Sequence, residues 1–323
     1  MKMEIGLDLQ CTSEAILMPI DVLVVGIGRW GSNHLQNLSK LQKNGVIGQL
    51  FAWDISQKNK DYAEHLGAIW QFKKKVGMAA IIATPTSTHF EIASKLIDSG
   101  MHVLIEKPMT ETEEEARILM DKSLTGGTVI ETGLLLRHHS AVKQSRKIIA
   151  KGLIGKVERI HCIRHSTRSV RGDESIIDVL AIHYLDLCCH LLHEAEPVRT
   201  RGQIDTTKSS LLCRISLEFE PGIEGLCEVS WGAEEEVREM KISGTEGEIK
   251  LDFSNHQFLT LNNAIFQLEE QTSPLEAELT AFMVRIINHN SAPNTSGRPA
   301  LRSVGWKSRL EIHEIKHEDI QQH

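Results

Sequence analysis

The sequence predicts a two-domain protein: an α/β domain with a doubly wound parallel sheet, then an α+β domain with a mostly antiparallel open sheet. Three observations carry this reading. The 323 residues make about two domains at roughly 150 residues each. From Asp21 to about Gly133, apolar strands alternate with helical stretches. After about Arg137, short strands follow one another with few helices between them. The boundaries expected are a 1–20 extension, a nucleotide-binding domain over 21–137, and a substrate-binding and oligomerisation domain over 138–323, whose last helix could fold back on the first domain.

In the first domain, strands are expected at Val22–Val25, Leu50–Trp53, Ala79–Ala83, His102–Ile105 and Thr128–Glu131. Their near-continuous Val, Ile and Leu suit a parallel sheet covered on both faces. Helices are expected near Asn33–Leu41, Asn59–Leu66, Thr88–Ser99 and Glu111–Ser123, which completes a βαβ rhythm. In the second domain a helix at Ser140–Lys151 leads to a strand at Val157–Arg164, and a second helix spans Val179–Leu192. Strands follow at Arg201–Asp205, Leu211–Glu218, Gly225–Ser230, Val237–Ile242 and Glu248–Asp252, separated by turns such as Pro221-Gly222. Helices near Leu275–Asn288 and Ala300–Ile315 close the chain.

Composition removes several classes. The formal charge of −7 argues against nucleic acid, since phosphate binding wants a basic face. No apolar run approaches the ~18 residues of a membrane span. The first twenty residues carry Lys2 and three acids around a short apolar stretch, so no secretory leader is expected. The 6 cysteines form no CxxC pair and suit reduced thiols in a cytoplasmic protein.

The first chemical motif is Gly26-Ile27-Gly28-Arg29-Trp30-Gly31, a GxGxxG between an apolar strand and a helix. Gly26 permits the tight turn, Gly28 lets backbone approach a pyrophosphate, and Gly31 lets helix close on strand. The helix N-terminus then offers N–H groups and a positive dipole end. Asp54, at the end of the second strand, stands where an acid accepts hydrogen bonds from the adenosine ribose. Its charge repels a 2′-phosphate and favours NAD, while Lys58 and Lys60 keep NADP open.

The segment from Ala79 to Thr110 holds Thr84-Pro85-Thr86-Ser87-Thr88-His89 and Glu106-Lys107-Pro108. It resembles the Gfo/Idh/MocA family of sugar and polyol oxidoreductases, and the resemblance runs from about Asp21 to Ile315. It extends through Gly133–His139, Gly152–Val157, Ile182–Asp186 and Ser243–Ile249. It implies an NAD(P)-dependent dehydrogenase that moves a hydride between nicotinamide and a carbinol carbon of a sugar, cyclitol or sugar nucleotide. A non-catalytic nucleotide-binding sensor of the same fold is the alternative. Thr84, Pro85, His89, Glu106 and Lys107 would then join the glycine turn and Asp54 around the cofactor. Lys107 would exchange the hydroxyl proton, since a charged Lys beside a cationic nicotinamide is disfavoured and can titrate near neutrality. His183 would hold or polarise the hydroxyl, with Asp186 and His190 on the same helix face. Arg137, Arg168 and Asp186 would border the substrate. Relatives in this family often pair through the open sheet, so a homo-oligomer is expected.

Two departures from the family pattern stand out. The family carries a carboxylate four residues before this His; here the position is Val179, with Asp178 one residue earlier. One residue is ~100° of α-helix, so Asp178 cannot be assumed to take that place, and its position before an apolar helical run favours an N-cap over a catalytic acid. The stretch Gly67–Phe72 reads as a third strand, yet only Lys73–Met78 separate it from the next. A parallel crossover needs a dozen residues or more, so that strand is expected to be lost or not parallel. The histidines between His138 and His193 raise a metal site, but they show no HExxH pattern and none is expected. Arg164, Arg168 and Arg171 suit a carboxylate or phosphate on the substrate, and a solvated basic loop equally.

Overall fold

A computed structural model of the chain describes residues 19–170, 175–207, 209–269, 272–288 and 297–316. Most of the N-terminal extension, Cys11 and Arg171 lie outside the described residues. The first sheet is built from β1 (Val22–Val25), β2 (Leu50–Trp53), β3 (Ile69–Trp70), β4 (Ala79–Ile82), β5 (His102–Ile105) and β6 (Ile130–Thr132). Its order is β3-β2-β1-β4-β5-β6, with every neighbouring pair parallel. The strands alternate their side chains between two cores. Val22 and Val24 pack with Leu35 and Leu38 of α1 (Arg29–Lys43) on one face, the side on which Ala63 of α2 (Lys60–His65) also lies. Leu23 and Val25 pack on the other face, with Ala93 and Leu96 of α3 (His89–Ile97) and Leu119 of α4 (Glu113–Gly126).

The third strand departs from expectation. β3 is kept and runs parallel to β2, although only residues 71–78 link it to β4 and they form no helix. β3 pairs through just Ile69 and Trp70, so the chain has little height to descend before crossing the sheet. Eight extended residues reach roughly 26 Å, and three strand spacings need only about 14 Å.

The second sheet has nine strands in the order β14-β13-β12-β11-β7-β10-β9-β8-β15. They are β7 (Val157–Ser166), β8 (Arg199–Thr206), β9 (Leu211–Phe219), β10 (Ile223–Trp231), β11 (Val237–Gly244), β12 (Gly247–Asp252), β13 (Phe258–Leu261), β14 (Ala264–Gln267) and β15 (Glu311–Lys316). Pairing is antiparallel except at β7–β10 and β8–β15. One face is covered by α5 (Ser140–Ala150) and α6 (Ile182–Leu191), and their shared core holds the buried free thiols of Cys162, Cys188, Cys213 and Cys227. Lys107 crosses the interdomain cleft, and α7 (Pro274–Ile287) and α8 (Gly297–Arg309) also join the two domains. Leu279 and Phe282 of α7 complete the core beside α1, and Ala300 of α8 completes the one beside α3 and α4.

Two C-terminal elements correct the sequence reading. The helix expected to reach Ile315 stops at Arg309, and Glu311–Lys316 add to the edge of β8 instead. Ile312 and Ile315 are spaced like a helix, but the open edge of β8 offers a ladder of backbone partners, and pairing overrides spacing. The β13–β14 hairpin was not anticipated. It turns at Asn262 and Asn263, both at positive φ, a pairing typical of tight hairpin turns.

Candidate active site

The glycine turn sits at the carboxyl end of β1, where open α/β sheets bind their ligands. Gly26 lies at φ 86°, and a Cβ there would come within 2.8 Å of the Ala83 carbonyl. A Cβ on Gly31 would fall 1.7 Å from the Gly26 carbonyl oxygen, so only glycine lets α1 start this close to β1. A Cβ on Gly28 would meet nothing within 4 Å, leaving its backbone open to a phosphate. No side chain caps α1 and no acid sits in its first turn, so its leading N–H groups and dipole are available to an anion. The residues present fit a dinucleotide pyrophosphate. Asp54 buttresses the turn: its Oδ2 accepts from Ile27 N at 2.6 Å and its Oδ1 from Ser56 N at 2.8 Å. Asn59 Nδ2 donates to the Ile27 carbonyl at 2.9 Å.

Thr84 and Pro85 follow β4 and line the same cavity as Arg29, Trp30, Glu106 and Lys107, a space of about 900 Å³. His89 also borders it, but Nε2 faces the Thr84 carbonyl at 2.8 Å and Nδ1 faces that of Pro108 at 3.1 Å. It therefore pins the turn after β4 to the turn after β5, and burial holds its pKa below the usual imidazole value. Glu106 is held by His34 Nε2 at 2.7 Å inside the domain, while its Oε2 accepts from Lys107 N at 3.2 Å. These two contacts fix the start of the Lys107 turn.

Lys107 crosses to the second domain. Its Nζ donates to the carbonyls of Asp178 at 2.8 Å and Val179 at 3.1 Å. Those carbonyls belong to a π-helical turn, Ile177–Ala181, that precedes α6. Ile182 N bonds to the Ile177 carbonyl, five residues back, so the Asp178 carbonyl that a regular α-helix would commit to Ile182 is given to Lys107. The same inserted residue alters the register. In a turn closed by a bond to the fifth residue back, Asp178, five residues before His183, takes the place a residue four before would hold on an α-helix. Asp178 is not an N-cap: it lies inside the turn, and Ser175 Oγ accepts its N–H at 3.4 Å.

His183 borders a second cavity of about 650 Å³ on the far side of Lys107. Burial, then the neighbouring charge of Lys107, push its pKa well below the usual value, so it is neutral at physiological pH. Its Nδ1 has no hydrogen-bond partner. Arg29, Trp30, Lys107, Arg168 and Val179 line both cavities, which are thus two lobes of one cleft.

The structure does not bring Asp186 to His183. Arg137 binds Asp186 with both arms of its guanidinium, at 2.5 and 2.6 Å, and also reaches Glu194 at 3.0 Å. Arg302 of α8 joins Glu194 as well, and His190 Nδ1 donates to Glu194 Oε1 at 2.8 Å. Burial alone would raise Glu194, but the bonds from His190, Arg137 and Arg302 outweigh it and hold the carboxyl well below its usual range. Arg137 and Asp186 therefore tie α6 to the turn after β6, and neither is among the residues lining the two lobes. Arg168 does reach the cleft, with its guanidinium 5.8 Å from the Trp231 ring. Trp231, Glu236, Arg238 and His139 also line the second lobe and were not anticipated as site residues. They come from separate strands and a loop, and no local spacing marks them. Among the described residues, no three His, Cys, Asp or Glu side chains converge to hold a metal ion. No helix among them is long and apolar enough to cross a membrane.

Fold and cleft define a two-domain protein with a glycine-rich turn at a strand end facing a second lobe across one lysine. Residues 20–130 match the model for an oxidoreductase family with an NAD-binding Rossmann fold, and residues 142–250 match the GFO/IDH/MocA C-terminal domain. The chain belongs to the Gfo/Idh/MocA family of oxidoreductases. It is 29% identical over 243 residues to a UDP-N-acetylglucosamine 3-dehydrogenase from Acidithiobacillus ferrooxidans, covering 72% of this chain and 74% of that one. It is 26% identical over 269 residues to a scyllo-inositol 2-dehydrogenase (NAD(+)) from Bacillus subtilis, covering 75% and 76%. The fold matches a structure of the Acidithiobacillus enzyme with a TM-score of 0.76 at 24% identity, covering 91% of this chain and 97% of that one. It matches an inositol dehydrogenase homolog from Azotobacter vinelandii, solved with NADH and myo-inositol, with a TM-score of 0.76 at 17% identity, covering 91% and 95%.

Proposed function

We propose that this protein is an NAD-dependent dehydrogenase that oxidises a CH–OH group of a sugar, cyclitol or sugar nucleotide in the cleft between its domains. The observation that carries the reading is the position of Lys107 at the junction of the two lobes, tethered to the second domain through Asp178 and Val179. Bound nicotinamide supplies the hydride acceptor. Gly26, Gly28 and the start of α1 would hold the pyrophosphate, and Asp54 would take the adenosine ribose with the lone pairs that Ile27 and Ser56 leave over.

Lys107 would take the proton from the substrate hydroxyl. Backbone carbonyls accept from an amine in either protonation state, so Nζ stays placed whether it carries two or three protons. His183, neutral beside it, would fix the hydroxyl without adding a second positive charge. Asp178 lines the cofactor lobe near the same nitrogen and would steady its charged form. The alternative of a non-catalytic sensor rested on Val179 and on the shortened sheet edge. The π-turn answers the first and the parallel β3 the second, so both favour the enzyme.

The test is nicotinamide turnover over a panel of cyclitols, sugars and sugar nucleotides. Lys107→Ala should lower kcat about 10²–10⁴-fold, the range for loss of a general acid–base, with NADH affinity little changed. Lys107→Arg keeps the charge but cannot give up a proton at neutral pH. A Lys107→Arg enzyme with near-normal kcat would remove Lys107 from the proton-transfer role.

A further inference from the structure

The second lobe has a chemical bias that the oxidoreductase reading does not require. Its described lining includes five cations, Arg29, Lys107, Arg164, Arg168 and Arg238, and one carboxylate, Glu236. The whole chain carries −7, so this concentration of positive charge runs against the protein's balance. A cleft walled by one sign of charge focuses its field on an incoming ligand.

Glu236 offsets one of these five charges and leaves a surplus of four on the described lining, and its lone pairs are committed to the protein. Its Oε1 accepts from Ser166 Oγ at 3.0 Å and from Thr167 N at 2.9 Å, and its Oε2 from Arg164 at 2.8 Å and Arg238 at 3.4 Å. Burial would raise this carboxyl, but the donors around it bring it down to about 2. It is a strut that holds two arginines side by side on neighbouring strands, where Arg238 of β11 is registered opposite Arg164 of β7.

One further lining side chain carries an unpaired donor: the Trp231 indole N–H is buried, has no hydrogen-bond partner and can only donate. A neutral polyol gives and takes hydrogen bonds and would be matched by donors and acceptors together. A wall of arginines beside an unpartnered indole N–H matches a ligand made of acceptors.

We propose that this lobe takes an anionic group, a phosphoryl or a carboxylate carried by the sugar substrate, with Arg168, Arg164 and Arg238 as its recognition residues. The proposal rests on the cleft being the active site. Its chemistry is shared by a sugar phosphate or nucleotide and by a uronic acid, and matched substrates separate them.

With NAD, kcat/KM is measured for a neutral hexose, myo-inositol, the hexose 1-phosphate, the UDP-hexose and the hexuronate. An anionic member should exceed its neutral counterpart by about 100-fold or more, and its KM should rise with ionic strength. Preference for the phosphate or UDP sugar identifies a phosphoryl group, and preference for the hexuronate a carboxylate. In parallel, calorimetry on the NADH-loaded protein measures binding of inorganic phosphate, UDP and glucuronate. Arg168→Met should weaken the anion that binds by about 10- to 100-fold, with Arg168→Lys recovering part of the loss. Turnover of a neutral sugar as efficient as every anionic one overturns the proposal and leaves the dehydrogenase intact. Failure of all three anions to bind the NADH-loaded protein also overturns it. Anion binding that depends on Arg168 without turnover of any substrate would count against the dehydrogenase reading alone.

Discussion

Asp54 carries two loads, and they make different demands on a substitution. One carboxylate oxygen holds the Ile27 amide of the glycine turn, and the charge as a whole would repel a 2′-phosphate. Asp54→Asn keeps an oxygen for the turn and removes the charge. It should narrow the preference for NAD(H) over NADP(H) by about tenfold, one favourable charge interaction's worth. Asp54→Ser is too short to reach Ile27 and should weaken both cofactors together. Fluorescence titration with NADH and NADPH reads both outcomes, and equal affinities in the unaltered protein would remove Asp54 from the discriminating role. The type and place of this residue were legible in the sequence, because an acid after the second strand answers a local motif. Its hold on the glycine turn was not, since it depends on how β2 and the turn meet.

The element that matters most is the π-turn at Ile177–Ala181. Counting residues on an α-helix separates Asp178 from His183 by one place too many, and the inserted residue absorbs that place. The cost of an irregular turn is offset where its spare carbonyls bind a cation, and here they bind Lys107. Deleting Val179 should return the segment to α-helical spacing with the carboxylate four residues before the histidine. Turnover of the deletion variant should stay within about tenfold of the parent. Asp178→Asn in the unaltered chain should lower kcat by about tenfold or more, as expected for loss of a charge partner. Steady-state kinetics check both, and a fully active Asp178→Asn protein would exclude Asp178 from the site. Helix and histidine were readable in advance, but the phase between Asp178 and His183 was not. A one-residue π insertion changes no apolar periodicity that a sequence displays.

At the scale of the whole molecule, α7 presses a third acid against the nucleotide-binding sheet. Glu278 is buried near Glu106 and Glu131. Burial, then the charges of Glu106 and Glu131, raise its carboxyl well above the usual range, with only the Leu134 amide acting the other way. Burial likewise lifts Glu131 to about 7, against the pull of Arg285. A carboxyl whose folded pKa lies above its unfolded value stabilises the fold below the unfolded pKa and loses that contribution as pH rises through the folded one. For Glu131 the window runs from about 4.5 to about 7, on the order of 3 kcal/mol in all. Glu278→Gln removes a proton that must otherwise stay bound. Its urea midpoint should exceed the parent's at pH 8 and match it at pH 5. A midpoint lower at both pH values would show that the carboxyl stabilises the interface.

The strands β1, β2, β4 and β5, the glycine turn, and the placing of Asp54, the Thr84-Pro85 turn, Lys107 and His183 at strand ends or on a helix were legible in the sequence on its own. Each is announced by a neighbour within a few residues: an apolar run, a glycine spacing, a motif beside a strand end. Tertiary structure alone decided that Arg137 and Asp186 satisfy each other outside the cleft, and that Glu311–Lys316 pair with β8 rather than extend a helix. It also decided that Arg164, Trp231, Glu236 and Arg238 share a lobe. Those outcomes turn on which partner is nearest across 50 to 100 residues of chain. Ion pairing, edge pairing and burial choose that partner through space, and a local sequence pattern carries no record of the choice.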